Sequence, residues 1–191
     1  IALYDDYHDV RTSALMVLNE NVDGKIFATP DNIKAFQMFI NDDSVIVKRI
    51  ALKILEKLVH YNPIGVTSIT RNALLDNFFI IRHIPGIRKR SRIARILPDL
   101  IHASAPTISA YSDGFMEIVI NIFKEYKEIQ LKRKPFQNFI EVTSYMQFLI
   151  GIIDALTIMA PLDPRQVAKH SDFLIDFLCG ILKPDSNRSL I

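Results

Sequence analysis

The most compact group of side chains able to hold a metal or exchange a proton is Asp5, Asp6, His8 and Asp9. Carboxylates and an imidazole suit either task. The group stands just before the first amphipathic stripe, however, where short acidic residues shape turns and cap orphan amides, so a polar turn is the expected role. The histidines His8, His60, His83, His102 and His170 include no pair at i and i+4, the spacing that sets two imidazoles on one helical face for zinc. The sequence contains no glycine-rich phosphate loop, no kinase catalytic loop or Asp-Phe-Gly pattern, and no serine in a nucleophile elbow. No catalytic residue, metal ligand or cofactor is therefore expected. Asp154 lies among apolar residues; burial would raise its pKa, but a lone helical carboxylate more often reaches solvent or a cation on a neighbouring helix.

The strongest local charge is the run Arg82, Arg88, Lys89, Arg90, Arg92 and Arg95, with no acid until Asp99. On a helix, positions 88, 92 and 95 share a face, so Arg88, Lys89, Arg92 and Arg95 are the candidate contacts to an anionic partner such as a phosphate, an acidic segment or an inositol phosphate. The plainer alternative is a solvated face, or a ladder of ion pairs with acids of an adjacent repeat. The run lacks the interleaved aromatics of nucleic-acid readers, so nucleic acid is not the expected partner. Arg88-Lys89-Arg90-Ser91 also resembles a site for a basophilic kinase or a nuclear-import patch. Asn187-Arg188-Ser189 fits the glycosylation sequon, which has no meaning without a secretory route.

The elements that must carry these residues are helical. Val10, Arg11, Ala14, Leu15, Val17 and Leu18 lie three and four apart, one stripe along a helix. About 37 residues later the order returns as Val47, Lys48, Ala51, Leu52, Ile54 and Leu55, a period in the range of stacked helix pairs. Proline is tolerated in the first turn of a helix and not in its interior. Thr29-Pro30, Asn62-Pro63, Ala105-Pro106 and Ala160-Pro161 with Pro164 therefore separate upstream helices, near 9–18, 44–61, 87–103 and 138–159, from downstream ones at 31–40, 64–79, 107–124 and 165–182. Asn41-Asp42 and Asp43-Ser44 suit helix capping, Pro98 should kink or end the third upstream helix, and 125–137 reads as a charged loop around Lys132-Arg133-Lys134.

Composition agrees with such a fold. The chain has 191 residues, 49% of them hydrophobic, with Lys+Arg 23 against Asp+Glu 21. That near balance implies no polyanionic partner from bulk charge. Cys179 is the only cysteine and cannot form an internal disulfide, which points to a reducing, cytoplasmic compartment. The chain begins at Ile1 without a signal peptide and looks like an excerpt. The apolar stretch 148–162 is shorter than the roughly 20 residues of a membrane span and includes Asp154, so it is expected as a packed helix and no transmembrane segment is expected.

The run Leu18-Asn19-Glu20, Asp23, Pro30-Asp31-Asn32-Ile33 and Phe39-Ile40-Asn41-Asp42 resembles the start of a HEAT segment of target of rapamycin (TOR) kinases. The likeness continues through Ile50-Ala51, Ile54, Lys57-Leu58, Asn62-Pro63, Ala94-Arg95-Ile96-Leu97 and Ser104-Ala105-Pro106. The resemblance implies a piece of the amino-terminal solenoid of a very large serine/threonine kinase of the phosphatidylinositol-kinase-related group, with the catalytic domain elsewhere. It also implies partners: other repeats of the same chain and Raptor-like or Rictor-like subunits, in a cytoplasmic complex that reaches endomembrane surfaces. The expected fold is all-α, an α-solenoid of about four HEAT-like antiparallel helix pairs in one unit, with repeats at 1–42, 43–81, 82–137 and 138–191. The second reading is a HEAT or armadillo adaptor or transport factor that holds an anionic ligand or nucleic acid through the stripe from Arg82 to Arg95. Both ends of such a unit should expose apolar faces.

Overall fold

Proline and the side chain before it start three of the downstream helices. The structure, a computed structural model, describes residues 2–131 and 139–182. Thr29 accepts a hydrogen bond from the Asn32 amide ahead of α3 (Pro30–Ile40), and Asn62 accepts one from the Gly65 amide ahead of α5 (Pro63–His83). Asp163 does the same for the Gln166 amide ahead of α10 (Pro164–Lys169). Each oxygen satisfies one of the amides that a helix start leaves without an internal partner. The Asn62 amide group also donates to the Ala28 carbonyl at 3.0 Å, tying two consecutive junctions together.

The remaining helices are α1 (His8–Asn21), the single turn α2 (Gly24–Phe27), α4 (Val45–Leu58), α6 (Ile87–Ala94), α7 (Leu97–Ala103), α8 (Ser112–Leu131), α9 (Phe139–Leu162) and α11 (Ser171–Leu182). Short 3-10 turns cover Ala2–Tyr4 and Ala105–Ala110, and no strand occurs among the described residues. The fold is an all-α solenoid in two layers. In one layer α1 packs on α4, α4 on α7, and both α6 and α7 on α9; in the other α3 packs on α5, α5 on α8 and α8 on α10. Contacts of α3 with α4, and of α5 with α6 and α7, join the layers.

The two copies of the amphipathic stripe are stacked helices. On α4, Val47, Ala51, Leu52, Ile54 and Leu55 are all buried. On α1 only Leu15 is, while Val10, Met16 and Val17 stay exposed. The same pattern buries less on α1 because that helix has a stacking neighbour, α4, on one side only. At the other end Ile175 and Ile181 of α11 are exposed.

The third upstream helix is interrupted, as Pro98 required: α6 ends at Ala94, and α7 starts at Leu97 with Pro98 in its first turn, where the missing amide costs nothing. Local structure differs from the sequence expectation in four places. Pro106 opens a 3-10 turn, so α8 begins only at Ser112, whose buried hydroxyl donates to Asp163 at 2.6 Å. Pro161 sits in the last turn of α9 rather than at the start of the next helix, and the segment 165–182 is divided between α10 and α11 at His170. Residues 125–131 are helical rather than a loop, because Tyr126 and Ile129 of α8 still reach the core and Tyr126 lies against Tyr145 and Phe177. Lys132 to Pro135 and the Asn187 sequon lie outside the described residues.

By length and composition α9 would pass as a membrane span over Ile140–Leu162. Here Phe148, Ile152, Ala155 and Met159 are fully buried on that helix, which lies against α6 and α7.

Candidate functional site

The outward basic surface begins at a break in the backbone. α5 ends at His83, and Gly86, at φ 127°, turns the chain into α6. A side chain at that φ is strained even where there is room for it, and nothing lies within 4 Å of the place a Cβ would occupy. Gly86→Ala should therefore destabilise the chain by about 1–3 kcal/mol, through backbone strain alone. Urea unfolding checks this; a neutral or stabilising change would show that the turn tolerates an ordinary residue.

α6 divides the cations of the sequence run between two environments. Arg82 pairs with Glu117 at 2.7 Å and Arg90 with Glu125 at 3.3 Å, both acids standing on α8. Arg90 also lies over the Phe148 ring, 4.6 Å from its centroid. These two close a ladder between helices. Arg88, Lys89, Arg92 and Arg95 are exposed and have no ion-pair partner among the described residues. Ser91, the serine of the basophilic-kinase pattern, is only 3% exposed, so in the folded chain its hydroxyl is out of reach of a kinase.

Three of the four exposed cations border two depressions. Arg95, just past the end of α6, lines a groove of about 470 Å³ that runs past Arg49, Pro98, Gln147, Asp154 and Thr157, drawn from α4, α7 and α9. Asp154 is exposed there, so the plain reading of that carboxylate holds. Lys89 and Arg92 line a smaller cleft of about 190 Å³ with Lys48 and Asp43, above Val45, Ile93 and Ile96. Lys48 was visible in the sequence only as the counterpart of Arg11. Burial holds its ammonium below the usual lysine range, and the like charge of Arg92 adds to that, against the pull of Asp43 and Asp42.

Arg11 shows what the same position does when an acid answers it. Its guanidinium donates to both carboxylate oxygens of Asp42, at 2.8 and 2.9 Å, and to the Asp5 and Asp6 carbonyls. Asp42 also accepts from the Ser44 amide at 2.8 Å. Asp5 accepts from the Tyr7 amide, so the acidic group at the start of the chain is turn structure and an anchor for Arg11. One period on from Asp42 the chain carries Phe79, not an acid, the signal in the sequence that Lys48 lacks an equivalent partner.

The Arg11–Asp42 pair makes stability depend on acid. Burial pushes the Asp42 carboxyl up, but the Arg11 hydrogen bond, the Ser44 amide and the charges of Arg11 and Lys48 outweigh it and hold the carboxyl below the usual range. A carboxyl depressed in the folded state contributes stability above its unfolded pKa, near 3.9, and loses it as pH falls through the folded value. Asp42→Asn should thus lower the urea midpoint at pH 7, and the gap from the parent chain should narrow below about pH 4. A gap that stays constant down to pH 2.5, an acidity chosen about a unit below that pKa, would count against this role.

No protein-family model matches the chain. It is 28% identical over 120 residues to the serine/threonine-protein kinase TOR2 of Saccharomyces cerevisiae, covering 63% of this chain and 5% of that protein. It is 23% identical over 120 residues to the serine/threonine-protein kinase tor1 of Schizosaccharomyces pombe, again 63% of this chain and 5% of the relative. The chain therefore spans about one twentieth of the length of the curated relatives it matches. The chain is thus similar to a short segment of two TOR kinases, and an all-helical unit matching so small a share of them points away from the catalytic domain of either.

Proposed function

We propose that the chain is a non-catalytic HEAT-repeat scaffold segment of a TOR-like serine/threonine protein kinase, which presents surface for complex assembly and the regulation of growth signalling. The observation that carries the reading is the stacking of α1 on α4 in the order of their shared stripe, in a chain whose curated relatives are TOR kinases. Repeats divided at 1–42, 43–81, 82–137 and 138–191 account for the helix pairs. In this reading the exposed Met16 and Val17 of α1 and Ile175 and Ile181 of α11 are faces for further repeats of the parent chain. Raptor-like or Rictor-like subunits are the proposed protein partners, in the cytoplasm and at endomembrane surfaces through the complex. Arg88, Lys89, Arg92 and Arg95 are the proposed contacts to an acidic partner.

The test is to purify the full-length protein from cells, with and without Arg88→Glu and Arg95→Glu. A serine/threonine kinase domain on the same polypeptide, together with fewer associated subunits in the variant at unchanged autophosphorylation, is the expected result. A polypeptide with no kinase domain would overturn the reading.

A further inference from the structure

Several cations of this molecule reach a carboxylate on another element. Arg11 has Asp42, Arg49 has Asp99, Arg82 has Glu117, Arg90 has Glu125 and Lys127 has Asp176. The cleft between α4 and α6 departs from that pattern: Lys48, Lys89 and Arg92 converge from helices distant in sequence, and Asp43 is the one carboxylate on its lining. Three positive charges against one negative leave a local excess of two. Lys48 is half-buried, so its charge is poorly screened, and Arg92 repels it. The cleft also opens at the first turn of α4, where the Ser44 side chain makes no capping bond and the free amide ends add partial positive charge.

We propose that this cleft binds a phosphomonoester dianion, carried by a phosphorylated peptide segment of a partner protein. A phosphorylated serine or threonine bears about −1.5 to −2 charge at pH 7 and offers three acceptor oxygens, matching the excess charge and the three cationic donors. A single carboxylate would leave part of that charge unanswered. The floor of Val45, Ile93 and Ile96 favours a peptide over a polyphosphorylated sugar ring, because it provides apolar surface beside the anion for a neighbouring side chain. The proposal rests on reading this face as one that receives a protein partner, and adds the chemistry it selects.

The experiment is fluorescence anisotropy on the purified protein. The probes are a labelled peptide mixture with phosphoserine at the centre and leucine or valine on both sides, and the same mixture after phosphatase treatment. Phosphatase treatment should weaken binding at least about tenfold, as should Arg92→Glu and, separately, Lys48→Met, since each removes a charged hydrogen bond. Lys53→Glu, exposed on α4 but outside the cleft, should change affinity less than about threefold. Circular dichroism melting confirms that each variant is folded; Arg92 is exposed, so its variant keeps the test valid if Lys48→Met unfolds. Equal binding of the two mixtures, or equal loss with Lys53→Glu and Arg92→Glu, would overturn the proposal. So would binding of inositol hexakisphosphate, or of phosphatidylcholine vesicles carrying phosphatidylinositol 3-phosphate, by protein that ignores the phosphopeptides. Phosphopeptide binding by a polypeptide with no kinase domain would overturn the parent assignment while leaving the cleft intact.

Discussion

Gly151→Ala should destabilise this chain by about 2 kcal/mol, although alanine is the better helix former by about 1 kcal/mol. Gly151 lies inside α9 where that helix crosses α6. A Cβ built there would stand 2.6 Å from the Ala94 carbonyl oxygen, 2.7 Å from its carbon and 2.9 Å from its Cβ. Backbone cannot swing aside as a side-chain tip can, so α6 and α9 would have to separate, loosening the buried residues that both contribute. Overpacking of this kind costs roughly 1–3 kcal/mol, sometimes more, which exceeds the propensity gain. Gly114 on α8 is the control: it too is helical, but nothing lies within 4 Å of its Cβ position. Gly114→Ala should stabilise by up to about 1 kcal/mol. Urea unfolding of both variants gives opposite signs if the helix crossing is as described; the same sign for both would refute it.

Phe123→Ala should cost about 3–5 kcal/mol, the loss expected for a fully buried ring. Phe123 of α8 is completely buried and stacks on Phe177 of α11, with ring centroids 3.8 Å apart and planes within 6°. Removing it leaves a cavity between two helices that Tyr126 against Phe177, with ring centroids 5.8 Å apart, and the exposed pair of Lys127 with Asp176 at 2.7 Å also join. Phe79→Ala, at a ring 60% exposed, should change stability by no more than about 0.5 kcal/mol. Thermal melting separates the two. Similar small shifts in both would mean that α11 is not held by this stack.

Both glycines and both phenylalanines look alike in the sequence, and their opposite expected effects come from what packs on them. Other features were legible without any packing. Thr29-Pro30, Asn62-Pro63 and Pro164 marked three helix starts, because a cap bond and a missing amide act within four residues. The repeated stripe of Val10 to Leu18 and Val47 to Leu55 identified stacked helices, because both carry the spacing of one helical face. The charged stretch after Lys124 misled for the converse reason: Glu125 and Lys127 look like loop residues, but their helix is kept by Tyr126 and Ile129 meeting distant partners.

The basic run makes the same division in its charges. That α6 would be cationic followed from its residues alone, as did the helical spacing of Arg88, Arg92 and Arg95. The tertiary structure decided that Arg82 and Arg90 are neutralised by Glu117 and Glu125, that Ser91 is buried, and that Lys48 joins Lys89 and Arg92 around one cleft. Secondary structure is governed by interactions a few residues long, which a sequence displays directly. Whether a charge is paired, buried or free depends on its distance to groups tens of residues away and on the solvent between them, and only the stacking of the helices sets those.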